Sequence, residues 1–288
     1  MTTKSKSIII ASFAFIISLT SFLLNGCSDT GTTITNILSN EISAKERLSS
    51  AITQAKTDYG DSTRLVLIFG KNVNSNGKTE ISAISAITSP DSIGMWLYVF
   101  RAPGDTSLKI YTPNPLPSAN NCIELTAFFN TGTLLNLIQD TSAKNIVAGA
   151  LALLTTSGIN ITTSTSALID SDVSLNLANT TNPIIKFNSG YVPDTSSLNG
   201  NTFFASGSNK TINMFLIPAA GTLNLPQFIT NLTGFPADLW IVNYKKLNSS
   251  SQTENLILGT VVESAQQMGV PNIGITSKVI NISKYVSE

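Results

Sequence analysis

Two segments of this chain are so densely aromatic and aliphatic, at a strand's period of two, that each constrains the fold to contain a packed sheet. The first, 95–101, reads MWLYVFR; the second, 238–244, reads DLWIVNY. In an extended strand successive side chains point to opposite faces, so Trp96, Tyr98 and Phe100 share one face and Leu97 and Val99 the other. Trp240 and Tyr244 likewise fall on one face of the second segment. These are the only two tryptophans in the chain, one in each half. Period-two aromatics are the ordinary content of a half-buried sheet, and the same set (Trp96, Tyr98, Trp240 and Tyr244) is also the candidate platform for a sugar or peptide ligand.

The surroundings of the two segments run in a similar order. In the first half, 43–59 has helical spacing, with Leu48, Ala51, Ile52 and Ala55 on one face and Ser43 as N-cap, Glu46 standing at the capping-box distance. A strand over 65–69 (LVLIF) follows. Asn76-Gly77 forms a hairpin-type turn before a strand over 79–87. After 95–101, a turn at 102–105 leads to a returning strand, 108–112 (LKIYT), and Pro113, Pro115 and Pro117 punctuate a boundary. Residues 146–154 (IVAGALALL) are apolar but too short to span a bilayer, which predicts a buried helix. In the second half, 167–179 is a short helix with Ser171 or Asp172 near its start. Strands follow at 183–187 (PIIKF), where the first half has LVLIF, and at 211–217 (TINMFLI). The Trp240 segment turns at 248–252 and returns over 255–262.

This order resembles the PepSY-like and cystatin-like α+β unit, in which a helix crosses a curled antiparallel sheet. The resemblance rests on element order and on Trp96/Tyr98/Phe100 against Trp240/Val242/Tyr244, with chance recurrence of tryptophan in apolar strands as the competing explanation. The expected fold class is therefore α+β, two related units, each a helix packed on a curled antiparallel sheet. The first unit spans 43–121, a connector with a buried helix spans 122–166, and the second unit spans 167–288. The resemblance implies docking, chaperoning or inhibition of other proteins, and no residue-specific site carries over.

The N-terminus supplies an address. Lys4 and Lys6 precede an apolar run over 8–24, which stops at Leu24-Asn25-Gly26-Cys27. The junction resembles the lipobox of bacterial lipoproteins, with Asn25 a less usual member. By that resemblance residues 1–26 are removed, Cys27 receives lipid, and 27–42 is a lipidated tether of small polar residues. More than one acyl chain anchors a protein stably. In the sorting rule of enteric bacteria, Ser28 directs the protein to the outer membrane. A plain signal peptide with an incidental cysteine and a retained membrane anchor are the alternatives. The expected location is an outer-membrane or cell-surface lipoprotein facing periplasm or exterior. Its partners are the membrane, through the lipid on Cys27, and an envelope protein or peptide.

Composition narrows the chemistry. Histidine is absent, which removes the commonest general base and metal ligand. With Cys27 taken by lipid, Cys122 stands alone, as a buried apolar residue or a thiol for intermolecular pairing. The 17 basic and 17 acidic residues form no basic stripe, so nucleic acid is not an expected partner. The stretch 70–79 (GKNVNSNGKT) fails the phosphate-loop spacing because Asn72 stands where glycine is required. Asp170-Ser171-Asp172 pairs two carboxylates without completing a calcium loop, and helix capping accounts for them. No Ser-x-x-Lys precedes a helix in the body. The reading is a non-catalytic binding or interaction module without cofactor or metal. Its alternative is an adhesin-like or structural β-rich surface lipoprotein, and a hydrolase ranks third.

Overall fold

The computed structural model describes residues 39–82, 94–102, 104–105, 107–114, 119–138, 140–157, 168–187, 190–196, 198–218, 239–263 and 276–284. The expected export segment, Cys27, most of the expected tether, the predicted strand beyond residue 82 and the expected connector over 158–166 lie outside them.

The chain is α+β. The elements of the first half are β1 (Ser39–Ser43), α1 (Leu48–Tyr59), β2 (Arg64–Lys71), β3 (Lys78–Ser82), β4 (Met95–Arg101), β5 (Leu108–Pro113) and β6 (Cys122–Glu124). Two helices follow, α2 (Thr131–Leu137) and α3 (Thr141–Ser157). The second half holds α4 (Ser171–Thr180), β7 (Ile184–Phe187), β8 (Gly190–Pro193), α5 (Gly200–Phe204), β9 (Ser208–Ile217), β10 (Leu239–Leu247), β11 (Thr253–Glu263) and β12 (Thr276–Asn281), then a 3-10 turn at Ile282–Lys284.

Ten strands form one sheet in the order β6-β5-β4-β2-β9-β10-β11-β12-β7-β8. Neighbours are antiparallel except β12 and β7, which meet in parallel at Ile280 and Ile184. The strands of both halves thus run into one sheet, joined where β2 pairs with β9. Phe69 and Phe215 are register partners at that seam, and their rings stack 4.9 Å apart and 4° from parallel.

The period-two reading holds along β4 and β10. One face carries Trp96, Tyr98, Phe100, Tyr111, Trp240, Val242 and Tyr244 against α1 and α4. The other carries Leu97, Val99, Ile110, Phe215 and Ile241, with α3 laid over it through Ala143, Val147, Ala150 and Leu151. That is the buried helix expected over 146–154. Each large apolar side chain so enclosed contributes roughly 1.5–3 kcal/mol. At Gly70 the missing side chain is structural: a Cβ there would lie 2.2 Å from the Trp96 ring. The indole crosses β2 at that point and meets Trp240 edge-on at 6.2 Å.

Several local expectations are corrected. The first helix begins at Leu48, five residues past Ser43, which belongs to β1. Half of the capping box forms, Ser43 N–H donating to Glu46 Oε1 at 3.2 Å, but the Ser43 hydroxyl is drawn away to Asp170 Oδ2 at 2.6 Å. The 76–77 turn does not return β3 onto β2. Both edges of β2 are occupied, by β4 and β9, so β3 pairs with β1 as a separate two-stranded ladder. The 183–187 segment is not the counterpart of LVLIF: β7 lies near the far edge, and β9 takes the place beside β2. Residues 122–124, expected to open the connector, are strand β6 on the opposite edge.

Candidate functional site

Three places bear on function. The first is the proposed aromatic platform. Trp96, Tyr98 and Tyr244 are fully buried and Trp240 is 2 % exposed, so none presents a ring face to a ligand. Their polar atoms are also engaged. Trp96 Nε1 donates to the Ile42 carbonyl at 2.9 Å, and Tyr98 donates its hydroxyl hydrogen to the Ala44 carbonyl at 3.0 Å. Trp240 Nε1 donates to the Ile169 carbonyl at 3.0 Å, and the Tyr244 hydroxyl to Asn179 Oδ1 at 2.8 Å. Each tryptophan therefore fastens the segment that enters a helix: Ile42 precedes α1 and Ile169 precedes α4. Burial pushes the Tyr98 and Tyr244 hydroxyls well above their ordinary ionisation range.

The second is the acidic pair. Asp170 is the N-cap of α4 and receives Ser171 N–H at 2.7 Å. The same carboxylate accepts Lys45 N–H at 3.0 Å and the Ser43 hydroxyl at 2.6 Å. Ser171 Oγ continues the junction, accepting Ala44 N–H at 3.0 Å and donating to the Gly77 carbonyl at 2.6 Å. Asp172 is exposed and accepts Val173 N–H at 2.6 Å. Asp170 and Ser171, without Asp172, thus tie the entry of α4 to the entry of α1. Among the described residues no cluster of acids and cysteine gathers to hold a metal ion.

Cys122 is the free cysteine of the described residues, buried beside the Arg47 carbonyl at 3.8 Å. Burial pushes its thiol up to about 12, so it is protonated in the fold.

The third place is a cleft of about 320 Å³ at ends of β2, β9, β10 and β11, with Leu137 at the close of α2 also in its lining. Lys71, Lys245 and Lys246 line it, with Asn72, Asn209 and Asn213, and among the described residues lining it there is no acid. Lys246 is matched by Glu254 at 3.4 Å and donates to the Phe203 carbonyl at 2.7 Å. Asn213 Oδ1 accepts Asn72 N–H at 3.0 Å, which braces the wall across the β2–β9 seam. Beside it on the sheet, Asn243 is register partner of Asn213; it is 4 % exposed, and its Oδ1 has no hydrogen-bond partner. No sequence motif marks this cleft, because its residues are brought together from four strands. A second, open groove on α1 is lined by Ser49, Ser50, Thr53, Gln54, Asn120 and Asn121, all uncharged.

No family model matches the chain, and neither a curated protein nor a solved structure matches it.

Proposed function

We propose that this chain is a lipid-anchored protein of the cell envelope, tethered through Cys27, with a body that is a non-catalytic binding or interaction module. The observation that carries the address is the Gly26-Cys27 junction at the end of the 8–24 apolar run, preceded by Lys4 and Lys6. Among the described residues no helix is long and apolar enough to cross a membrane.

The body is read as two related units of the PepSY-like or cystatin-like kind, each a helix and an antiparallel meander. What supports this is the mirrored order about the β2–β9 seam, β6-β5-β4-β2 on one side and β9-β10-β11-β12 on the other. Trp96 and Trp240 occupy corresponding strands, and each donates to a carbonyl just before its own helix. A binding role accords with the lack of histidine and of a completed catalytic motif in the sequence.

The test is metabolic labelling with palmitate in a bacterial host, comparing the full chain with Cys27→Ser. Incorporation that disappears with the substitution, together with membrane fractionation of the processed protein, supports the reading. Unlabelled, freely soluble protein, cleaved elsewhere, would replace lipid anchoring with plain secretion.

A further inference from the structure

We propose that the β6 edge of the sheet takes an extended peptide segment as an added strand, with the segment's polar side lying in the groove beside α1; this rests on reading the body as a binding module and names the partner class. β6 ends the ten-strand order, and its register shows which backbone groups face outward. Asn114 N–H donates to the Asn121 carbonyl at 3.1 Å and Leu125 N–H to the Ile110 carbonyl at 2.7 Å, so Asn121, Ile123 and Leu125 turn their backbone groups to β5. By the alternation of an antiparallel ladder, Cys122 and Glu124 turn theirs away from it. Among the described residues, the hydrogen bond on that outer edge is from Cys122 N–H to Gln54 Oε1, at 3.3 Å. A half-buried side-chain amide thus stands where the carbonyl of a neighbouring strand would stand, through a bond longer than the backbone norm of about 2.9 Å.

Both outward-facing residues keep their side chains on the helix side of the sheet. Cys122 is buried in the core with Leu48 and Ala51 of α1, and the Glu124 carboxylate accepts the Tyr59 hydroxyl at the end of that helix. The groove opens along the same border, about 620 Å³ between Ser49, Ser50, Thr53 and Gln54 of α1 and Asn120 and Asn121 at the entry to β6. Its hydroxyls and amides carry no charge, which suits neutral polar side chains and backbone amides and selects no ion. On the opposite face of the sheet the edge presents Ile123, partly buried against the core under α3. An added strand alternates its side chains between those two faces. The fitting partner is therefore an extended segment that alternates neutral polar residues, toward α1, with β-branched apolar residues, toward Ile123. The edge from Asn121 to Leu125 extends about 17 Å, the length of about five residues. Main-chain hydrogen bonds supply the affinity of such a strand, and its alternate side chains the specificity.

The experiment uses the full chain in detergent micelles and fluorescence anisotropy of a fluorescein-labelled peptide, Thr-Val-Thr-Val-Thr-Val-Thr-amide. Two further peptides carry N-methyl groups, one on every threonine nitrogen and one on every valine nitrogen. In an extended chain all threonine N–H groups point to one edge and all valine N–H groups to the other. Saturable binding of the parent at about 100 µM or tighter is expected, with one N-methylated peptide binding as the parent does and the other about tenfold or more weakly. Amide hydrogen exchange should slow in Cys122–Glu124 when the parent binds. Thr53→Phe, on the exposed wall of the groove, should weaken binding about tenfold, and Val173→Phe, on the exposed side of α4, should leave it unchanged. No binding of the parent, equal effects of the two N-methylated peptides, or unchanged exchange in β6 would each overturn the proposal. Chitotriose, a neutral sugar suited to the same hydroxyls and amides, should not displace the peptide; displacement would assign the groove to a sugar and overturn the peptide reading. Palmitate labelling at Cys27 does not depend on β6, so failure of the edge is distinguishable from failure of the anchored-module reading.

Discussion

Replacing Asp170 with alanine removes one carboxylate that three groups share, and the cost can be assembled from its contacts. The N-cap bond to Ser171 N–H is worth about 1 kcal/mol. The Ser43 hydroxyl, on a residue 2 % exposed, loses its carboxylate acceptor, which costs about 1–3 kcal/mol. Lys45 N–H is partly exposed and is re-solvated more cheaply, for about 1 kcal/mol. Together these predict a loss of roughly 3–5 kcal/mol for Asp170→Ala. Asp170→Asn retains an amide oxygen for the two N–H donors, and Ser43 can reverse its hydroxyl to accept, so about 1–2 kcal/mol is expected. Urea unfolding followed by tryptophan fluorescence reads both variants, since Trp240 is fastened to Ile169, the residue before Asp170. A double-mutant cycle with Ser43→Ala should give a coupling of about 1 kcal/mol or more, because the two side chains are in direct contact. An Asp170→Ala loss below about 1 kcal/mol, or additive effects with Ser43→Ala, would refute the claim that this carboxylate holds the two helix entries together.

Stability should fall at alkaline pH. Burial raises the Cys122 thiol from 9.0 to about 12 and holds the Tyr98 and Tyr244 hydroxyls above their ordinary 10.0, so the folded chain retains protons that the unfolded chain releases. Their contribution is complete below the unfolded values and is lost as pH rises through 9.0 and on towards 12. The urea midpoint should be flat up to the first value and decline beyond it, and Cys122 should react with a thiol reagent at pH 8 only after unfolding; prompt reaction of the native protein would contradict its burial. Gly77→Ala should destabilise more than Gly70→Ala, as thermal unfolding would show. At Gly77 a Cβ meets the Asp172 backbone at 2.4 Å with φ +75°, whereas at Gly70 it meets the Trp96 ring, which can shift at a cost of about 1–3 kcal/mol.

Much of the fold was legible from local pattern. The alternation of 95–101 predicted which of its side chains go to each face of the sheet, because a strand's period is fixed by backbone geometry alone. The helix faces of α1 and the existence of α3 and α4 followed from apolar spacing in the same way. Strand partners did not. Pairing depends on which edges remain open once other strands have docked, and that sent β3 to β1 and gave β9, not β7, the place beside β2. Ser43 shows the same limit at one residue: its capping spacing is correct, yet an acid 127 positions away competes for its hydroxyl.

By itself the sequence determined the apolar run over 8–24 that ends at Gly26-Cys27, the exclusion of histidine chemistry, the two aromatic strands and Cys122 as the one cysteine beyond residue 27, all properties of composition or of short-range order. Tertiary structure alone decided that Trp96, Tyr98, Trp240 and Tyr244 are core and not surface, since a face becomes buried only when something packs on it. It alone gathered Lys71, Asn213 and Lys245 into one cleft. Residues from four strands share no spacing in the chain, and only the register of β2, β9, β10 and β11 brings their ends together.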